Sequence, residues 1–321
     1  MRTNKPFHWL LTLLAGATLL VPSALALRGG DDDDDDDDDD ELDICEQTAS
    51  VLRKAAQHEA RDDSWIGFAN CLNFTRRSDA VACLRENARA LAEALQLLAD
   101  QFDARLELCE DLGGGRYDPR IDPRDFVKGV TNPFFPLVPG TTKVFEKTTD
   151  EGTERVEVTV TSDTKTLLGV ECMVVRDVVS IGNELIEDTE DYFAQDRSGN
   201  VWYFGELVMN FEDGELRDLG GSWRAGEDGA KPGIVMKARP AARNVYRQEF
   251  LANEAEDAAS VTGLGRTVRV PFGVLNGCLE TLDFTPLEPD HFEAKFYAPG
   301  IGLALEVNTE SGERVELVGI F

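Results

Sequence analysis

The stretch VEVTVTSDTKTLLGVECMVVRDVV, residues 156–179, decides the fold class. Val156, Val158 and Val160 alternate with Glu157 and Thr159, a period of two that puts the valines on one face of a strand. A glycine-containing turn follows, and Val170 to Val179 reads as a second strand. The same pattern continues to the C-terminus. Short strands are expected at Glu190–Phe193, Val201–Phe204, Leu207–Phe211, Val245–Phe250, Thr267–Val270, Leu275–Phe284, His291–Tyr297, Leu303–Val307 and Val315–Ile320. Turn signals separate them at Gly182-Asn183, Ser198-Gly199-Asn200, Asp213-Gly214 and Ser311-Gly312. So many short strands joined by hairpin turns predict an antiparallel curved sheet, barrel or sandwich over residues 141–321.

Upstream the period changes. Val81, Leu84, Ala88, Leu91, Leu95, Leu98, Phe102, Leu106 and Cys109 recur at steps of three and four, one apolar stripe of a helix. Ser78 or Asp79 is the expected cap, and Gly113-Gly114-Gly115 the expected stop. A first helix carries Cys45, Leu52, Ala55 and Ala56. It is interrupted at Arg61-Asp62-Asp63-Ser64 and resumes its apolar face with Trp65 and Phe68. Residues 42–112 therefore read as an antiparallel helical hairpin. Of the three ways to pair its four cysteines, one is favoured. Cys45 with Cys109 and Cys71 with Cys83 share a midpoint at position 77, inside the expected turn, so one fold of the hairpin brings both pairs together. Cys172 and Cys278 remain, and an even count in an exported chain predicts a third disulfide between them. The fold class is thus α+β: a disulfide-stapled helical hairpin, a Pro-rich connector over residues 113–140, and an antiparallel β domain.

The N-terminus explains the cysteines. Arg2 and Lys5, the apolar run from Trp9 to Val21 and Ala24-Leu25-Ala26 form a signal peptide over residues 1–26. This predicts an exported protein, periplasmic or extracellular, with no membrane span after cleavage. Residues 27–41 hold ten consecutive aspartates and have nothing apolar to bury, so disorder is expected there. The chain has 61 acidic and 32 basic residues and a formal net charge of -29. Such a surface repels nucleic-acid phosphates and anionic lipid headgroups, and favours cations and basic or mineral surfaces.

Residues 132–321 resemble a group of uncharacterised exported bacterial β-rich proteins. The shared phrases are Asn132-Pro-Phe-Phe-Pro-Leu137 with Pro139-Gly140-Thr141, Val201-Trp-Tyr-Phe-Gly-Glu206, Gly229-Ala-Lys-Pro-Gly-Ile-Val-Met236, Tyr246-Arg-Gln-Glu249, Phe284-Thr-Pro-Leu-Glu-Pro289 and Tyr297-Ala-Pro-Gly-Ile-Gly-Leu303. Lys143 stands where the group has Trp. The resemblance implies export and β structure and transfers no catalytic residue.

Carboxylates carry the chemistry that the sequence suggests. Asp31, Asp32, Asp33, Asp34, Asp35, Asp36, Asp37, Asp38, Asp39 and Asp40 offer hard oxygen ligands, so weak, multiple binding of divalent cations, calcium first, is expected. A solvated spacer is the competing reading. Asp196, Ser198 and Asn200, with Glu206 beyond them, have calcium-loop spacing, but the full EF-hand pattern is missing and a plain β-hairpin turn is the preferred reading. Glu288, Asp290, His291 and Glu293 form an acidic cluster with a histidine, read either as an acid–base site or as a solvated strand edge. Trp202, Tyr203 and Trp223 are candidates to line a ligand pocket, or are simply core. No nucleophile elbow, HExxH, P-loop or dinucleotide fingerprint occurs. Three functions remain open: a non-enzymatic cation binder, a small-molecule or lipid carrier, and a carboxylate-based hydrolase or lyase, the last needing acidic residues that converge in one cleft.

Overall fold

The computed structural model describes residues 43–149, 152–182 and 184–321. The expected signal peptide and the aspartate run lie outside the described residues. The described chain opens with α1 (Ile44–Leu72) and α2 (Arg77–Leu112), an antiparallel pair. Asp43 caps α1: its carboxylate accepts from the Glu46 amide at 2.9 Å, and Glu46 returns the bond to the Asp43 amide. Gly113, in the left-handed conformation, ends α2 as expected. The start of α2 differs from expectation: Arg76 occupies the cap position and no side chain bonds there.

Both expected hairpin disulfides are formed, Cys45–Cys109 at the base and Cys71–Cys83 at the tip. The expectation for Trp65 and Phe68 is overturned. α1 runs through Arg61-Asp62-Asp63-Ser64 without a break, and its seam against α2 is made of Ala56, Ala60, Ser64, Gly67 and Cys71, while Trp65 and Phe68 face solvent. Small size, not hydrophobicity, selects the seam here. A Cβ on Gly67 would stand 2.1 Å from the Asn87 side chain, whose amide donates to the Ser64 carbonyl at 3.0 Å.

After the connector, whose one-turn 3₁₀ segment spans Pro123–Asp125, come sixteen strands among the described residues. They are β1 (Phe126–Val127), β2 (Thr142–Thr149), β3 (Gly152–Leu167), β4 (Val170–Ile181), β5 (Glu184–Asp196), β6 (Val201–Glu212), β7 (Glu215–Asp218) and β8 (Trp223–Arg224), then β9 (Lys231–Met236), β10 (Val245–Arg247), β11 (Glu249–Phe250), β12 (Ala258–Val270), β13 (Gly273–Phe284), β14 (Phe292–Ala298), β15 (Gly302–Asn308) and β16 (Arg314–Ile320). Every pairing is antiparallel, and the strand order is β10-β12-β13-β14-β15-β16-β2-β3-β4-β5-β6-β9-β11. The two ends of that path, β10 and β11, are separated only by Gln248. One extended segment therefore pairs with β12 through its first half and with β9 through its second, and the sheet is a nearly closed barrel. Gly233 on β9 makes the seam possible, because a Cβ there would meet the Gln248 carbonyl carbon at 2.2 Å.

The expected Cys172–Cys278 disulfide is not formed. Both cysteines are buried and free, in different clusters. Cys172 packs with Tyr192, Phe204 and Trp223, whereas Cys278 packs with Val268, Val270 and Leu317 beneath the folded-over tip of the β12–β13 hairpin. Pairing by elimination failed because two strands of one barrel can bury their cysteines in separate clusters.

The hairpin docks on the barrel through α2. The Arg105 guanidinium donates to both Glu256 carboxylate oxygens at 2.7 and 3.0 Å and to Asn253 at 2.9 Å. The Arg105 and Glu256 side chains are 4% and 1% exposed. Gln101 adds a bond to the Leu287 carbonyl at 2.8 Å. Arg105→Ala leaves the buried Glu256 carboxylate without its counter-ion and with only the Asn253 amide donating to it at 2.8 Å, and thermal unfolding should show a loss of about 3–5 kcal/mol. In the oxidised, unreduced protein, thiol titration should find two reactive thiols per chain, and only after denaturation. A count of zero would restore the third disulfide.

Candidate functional site

The barrel interior is polarised along its axis, and strand register shows how. Inward positions on β4 run Met173, Val175, Asp177; on β5, Phe193, Asp191; on β13, Leu279, Thr281, Asp283; and on β14, Tyr297, Lys295, Glu293. Cross-strand partners match like with like: Met173 with Phe193, Leu279 with Tyr297, Asp283 with Glu293. One end is apolar and the other acidic.

The apolar end is sealed by the Asn132–Leu137 phrase. Phe134, Phe135 and Leu137 pack with Met173, Phe193, Val201, Met236, Leu279 and Tyr297. Asn132 pins the plug, donating to the carbonyls of Gly199 at 2.9 Å and Lys237 at 3.2 Å and accepting from the Phe134 amide at 2.9 Å. Gln195 accepts from the Thr131 and Asn132 amides, both at 2.8 Å. Lys143, at the position where the resembling group has Trp, is half-buried beside this plug near Gly302, and desolvation lowers its pKa to about 8.

The acidic end is the mouth. Asp257, Asp283, Phe284, Thr285, Glu288, His291, Glu293 and Lys295 border a small cleft that opens to solvent. Lys295 is its organising cation. Its ammonium lies 3.4 Å from Glu293, 3.4 Å from Glu306 and 3.6 Å from Asp283. Burial alone would lower the lysine pKa, but these three carboxylates outweigh it and hold the ammonium protonated. Side-chain exposures of 19% for Lys295 and 21% for Glu306 show that water reaches the group. His291 stands at the rim, 3.2 Å from Glu293.

Deeper in, carboxylates outnumber cations. Burial first, then neighbouring charge, raises Asp191, Asp257 and Glu306 to about 7 and lifts Asp177, Glu206 and Glu249 well above the ordinary range. Asp191 accepts a 2.6 Å hydrogen bond from the Tyr203 hydroxyl. Among the described residues, one Asp177 carboxylate oxygen and the Tyr246 hydroxyl of this interior have no hydrogen-bond partner.

The sequence candidates distribute unevenly. His291 and Glu293 join the mouth, and Glu288 lines its edge, so the cluster is more than a strand edge. Asp290 stays exposed. Asp196 does not meet Glu206. Its carboxylate accepts from the Asn200 amide, the Asn200 side chain and the Trp202 indole at 2.7–3.0 Å, while Glu206 pairs with Asp191 farther up the strand. Ser198 lies in the exposed turn between them. Of the aromatic candidates, Trp202 and Trp223 pack in the cluster around Tyr192 and Phe204; Tyr203 bridges that cluster and the interior, stacking on Phe193. Among the described residues no group of three or more His, Cys, Asp or Glu side chains is arranged to hold a metal ion. Sequence reasoning missed Asp257, Asp283, Lys295 and Glu306. Lys295 and Glu306 sit at alternate positions within apolar strands, the one signal that marked them.

No protein-family model matches the chain, and no curated protein matches it. Among solved structures, it is similar to a protein described as a "putative lipoprotein" from Parabacteroides distasonis, at 10% identity and a TM-score of 0.33, over 59% of this chain and 99% of that one. A likeness of that degree carries no argument about fold or function.

The raised carboxylates make stability depend on pH. Each holds a proton in the folded chain between about pH 4, where the unfolded group releases it, and about pH 7. The folded state therefore binds more protons in that window, and stability falls as pH rises through it. Asp118 and Asp122, held low by hydrogen bonds from Lys231 and Arg124, are ionised in both states there and do not oppose the trend. Calorimetric melting should give a Tm several degrees lower at pH 8 than at pH 5; a rising Tm would contradict the buried-acid assignment.

Proposed function

We propose that this is an exported cation-binding protein whose folded site is the acidic barrel mouth, with small organic amines as its ligands. One observation carries the reading: carboxylates from several strands and a loop converge on a water-reached cleft where Lys295 is the central cation. The surroundings of Lys295 display how this site treats an ammonium, with three carboxylate oxygens at 3.4–3.6 Å. Asp257 and Glu288 border the remaining space and supply charge for a second ammonium. The apolar end is filled by its own side chains, so the interior favours a small polar guest over a lipid chain.

A second cation site of another kind is proposed for Asp31 to Asp40. A run of ten carboxylates takes calcium or a basic surface loosely and in a salt-dependent way. The convergence of carboxylates also meets the requirement set for a hydrolase or lyase, and Asp257, held near neutrality beside His291 and Glu293, has the properties of a general acid.

Calorimetry on the mature chain separates these readings. Titration with 1,4-diaminobutane at pH 8 should give saturable heat, weakened at least tenfold by Glu288→Gln and by lowering the pH to 5.5. Deleting residues 31–41 should leave that heat unchanged and remove most of the calcium heat. Absence of saturable amine binding at either pH would sink the mouth assignment, and turnover of a chromogenic glycoside panel that Glu293→Gln abolishes would move the reading to catalysis.

A further inference from the structure

We propose that the free end of the helical hairpin docks on the surface of an anionic lipid bilayer. Trp65, Ile66, Phe68, Leu72 and Phe74 all lie there, at 70%, 61%, 40%, 64% and 50% exposure. Scattered exposed apolar residues are ordinary; five large ones within ten positions are not. At 100° per residue, Trp65, Phe68 and Leu72 fall within about 60° of one another on α1, Ile66 lies on another side, and Phe74 stands beyond the helix end. The apolar groups thus wrap the tip. A flat protein partner would use one stripe, whereas a tip apolar around its circumference suits end-on entry into a lipid interface.

Charge supports the same occupant. Between residues 61 and 85 there are four arginines (61, 76, 77, 85) and three aspartates (62, 63, 79), a net of +1 in a chain that totals -29. Among the described residues Arg76, Arg77 and Arg85 enter no ion pair, so they are free to meet lipid phosphates. The acidic barrel does not cancel this. From Arg77 to the docking residue Gln101 is 24 positions of helix, about 36 Å at ~1.5 Å per residue. The screening length at physiological salt is about 8 Å. The negative charge of the barrel is therefore screened before it reaches the tip. Trp and Arg together are the residues that anchor at headgroup depth. The Cys71–Cys83 disulfide holds the tip in shape before contact, so docking orders little new chain.

The test is co-sedimentation of the mature protein with vesicles of phosphatidylcholine alone and with about 30% phosphatidylglycerol, at low and physiological salt. The expected result is binding to the anionic vesicles, weaker at higher salt and on neutral vesicles. It should fall at least tenfold in the double variant Trp65→Ser, Phe68→Ser and in Arg76→Glu, Arg77→Glu. Helical circular dichroism and melting of both variants should match the parent, since none of these side chains lies in the seam. Brominated acyl chains should quench fluorescence of the parent and not of the Trp65→Ser, Phe68→Ser variant. Failure to bind anionic vesicles at low salt, or binding that the serine variant retains, overturns the proposal. A concentration-dependent dimer that the same variant abolishes, without vesicle binding, overturns it in favour of a second copy of the chain.

Discussion

Everything in the β domain depends on the seam that closes the barrel. An open antiparallel sheet of this length would present two rows of unpaired amides and carbonyls. Here the residues from Val245 to Phe250 serve both edges at once, because a segment only six residues long leaves β12 and joins β9. The exchange needs the two backbones to approach at Gly233 more closely than any side chain permits. Just beyond the seam, the Asp257 carbonyl accepts from the Gln248 amide at 2.7 Å. The turn that follows β11 carries Asn253 and Glu256, which receive Arg105 from the hairpin. Closure of the barrel and docking of the helices are consequently one local event, built within about a dozen residues.

Closure also creates the electrostatics. On an open sheet, Asp191, Glu206 and Glu306 would be ordinary surface carboxylates with ordinary acidity. Closed, burial raises all three, and neighbouring carboxylates add to it: Glu187 on Asp191, Asp191 on Glu206, and Glu293 and Asp283 on Glu306. The structure tolerates this because water reaches the acidic half and Lys295 neutralises part of it. The other half is packed with side chains and plugged by Asn132–Leu137, which keeps water from crossing. The polarised interior, apolar under the plug and anionic under the mouth, is therefore a property of the closed topology that no single strand carries.

That division explains which parts were legible in the sequence. The hairpin could be read because helix periodicity and the shared cysteine midpoint are local facts. The strands with valine at alternate positions, such as β3 and β4, could be read for the same reason. β5 was seen only at its end, Glu190–Phe193, because Glu187, Asp188, Glu190 and Asp191 disguise a long strand, and Glu187 and Asp191 belong to the interior. β6 was seen as two strands because a bulge near Gly205 breaks its alternation. Cys172 and Cys278 were paired by counting, which is blind to the cluster in which a side chain is buried. Trp65 and Phe68 read as seam residues from hydrophobicity alone, whereas close approach of the two helices selects Gly67 and Ser64 instead.

The two halves of the molecule store polarity in opposite ways, and this bears on how they act together. The barrel hides carboxylates inside; the hairpin displays aromatics outside. Neither arrangement is what a chain selected for stability alone would keep, since buried like charges oppose folding and exposed Trp and Phe contribute nothing to a core. Arg105 and Gln101 attach α2 to the two loops, around Glu256 and Leu287, that border the acidic mouth. A force or contact at the distal end of α2 is therefore delivered to the rim of the cleft through a helix that is disulfide-clamped at both ends. In this geometry the hairpin is a stiff arm with an apolar end, and the mouth of the barrel is the part of the molecule to which that arm is joined.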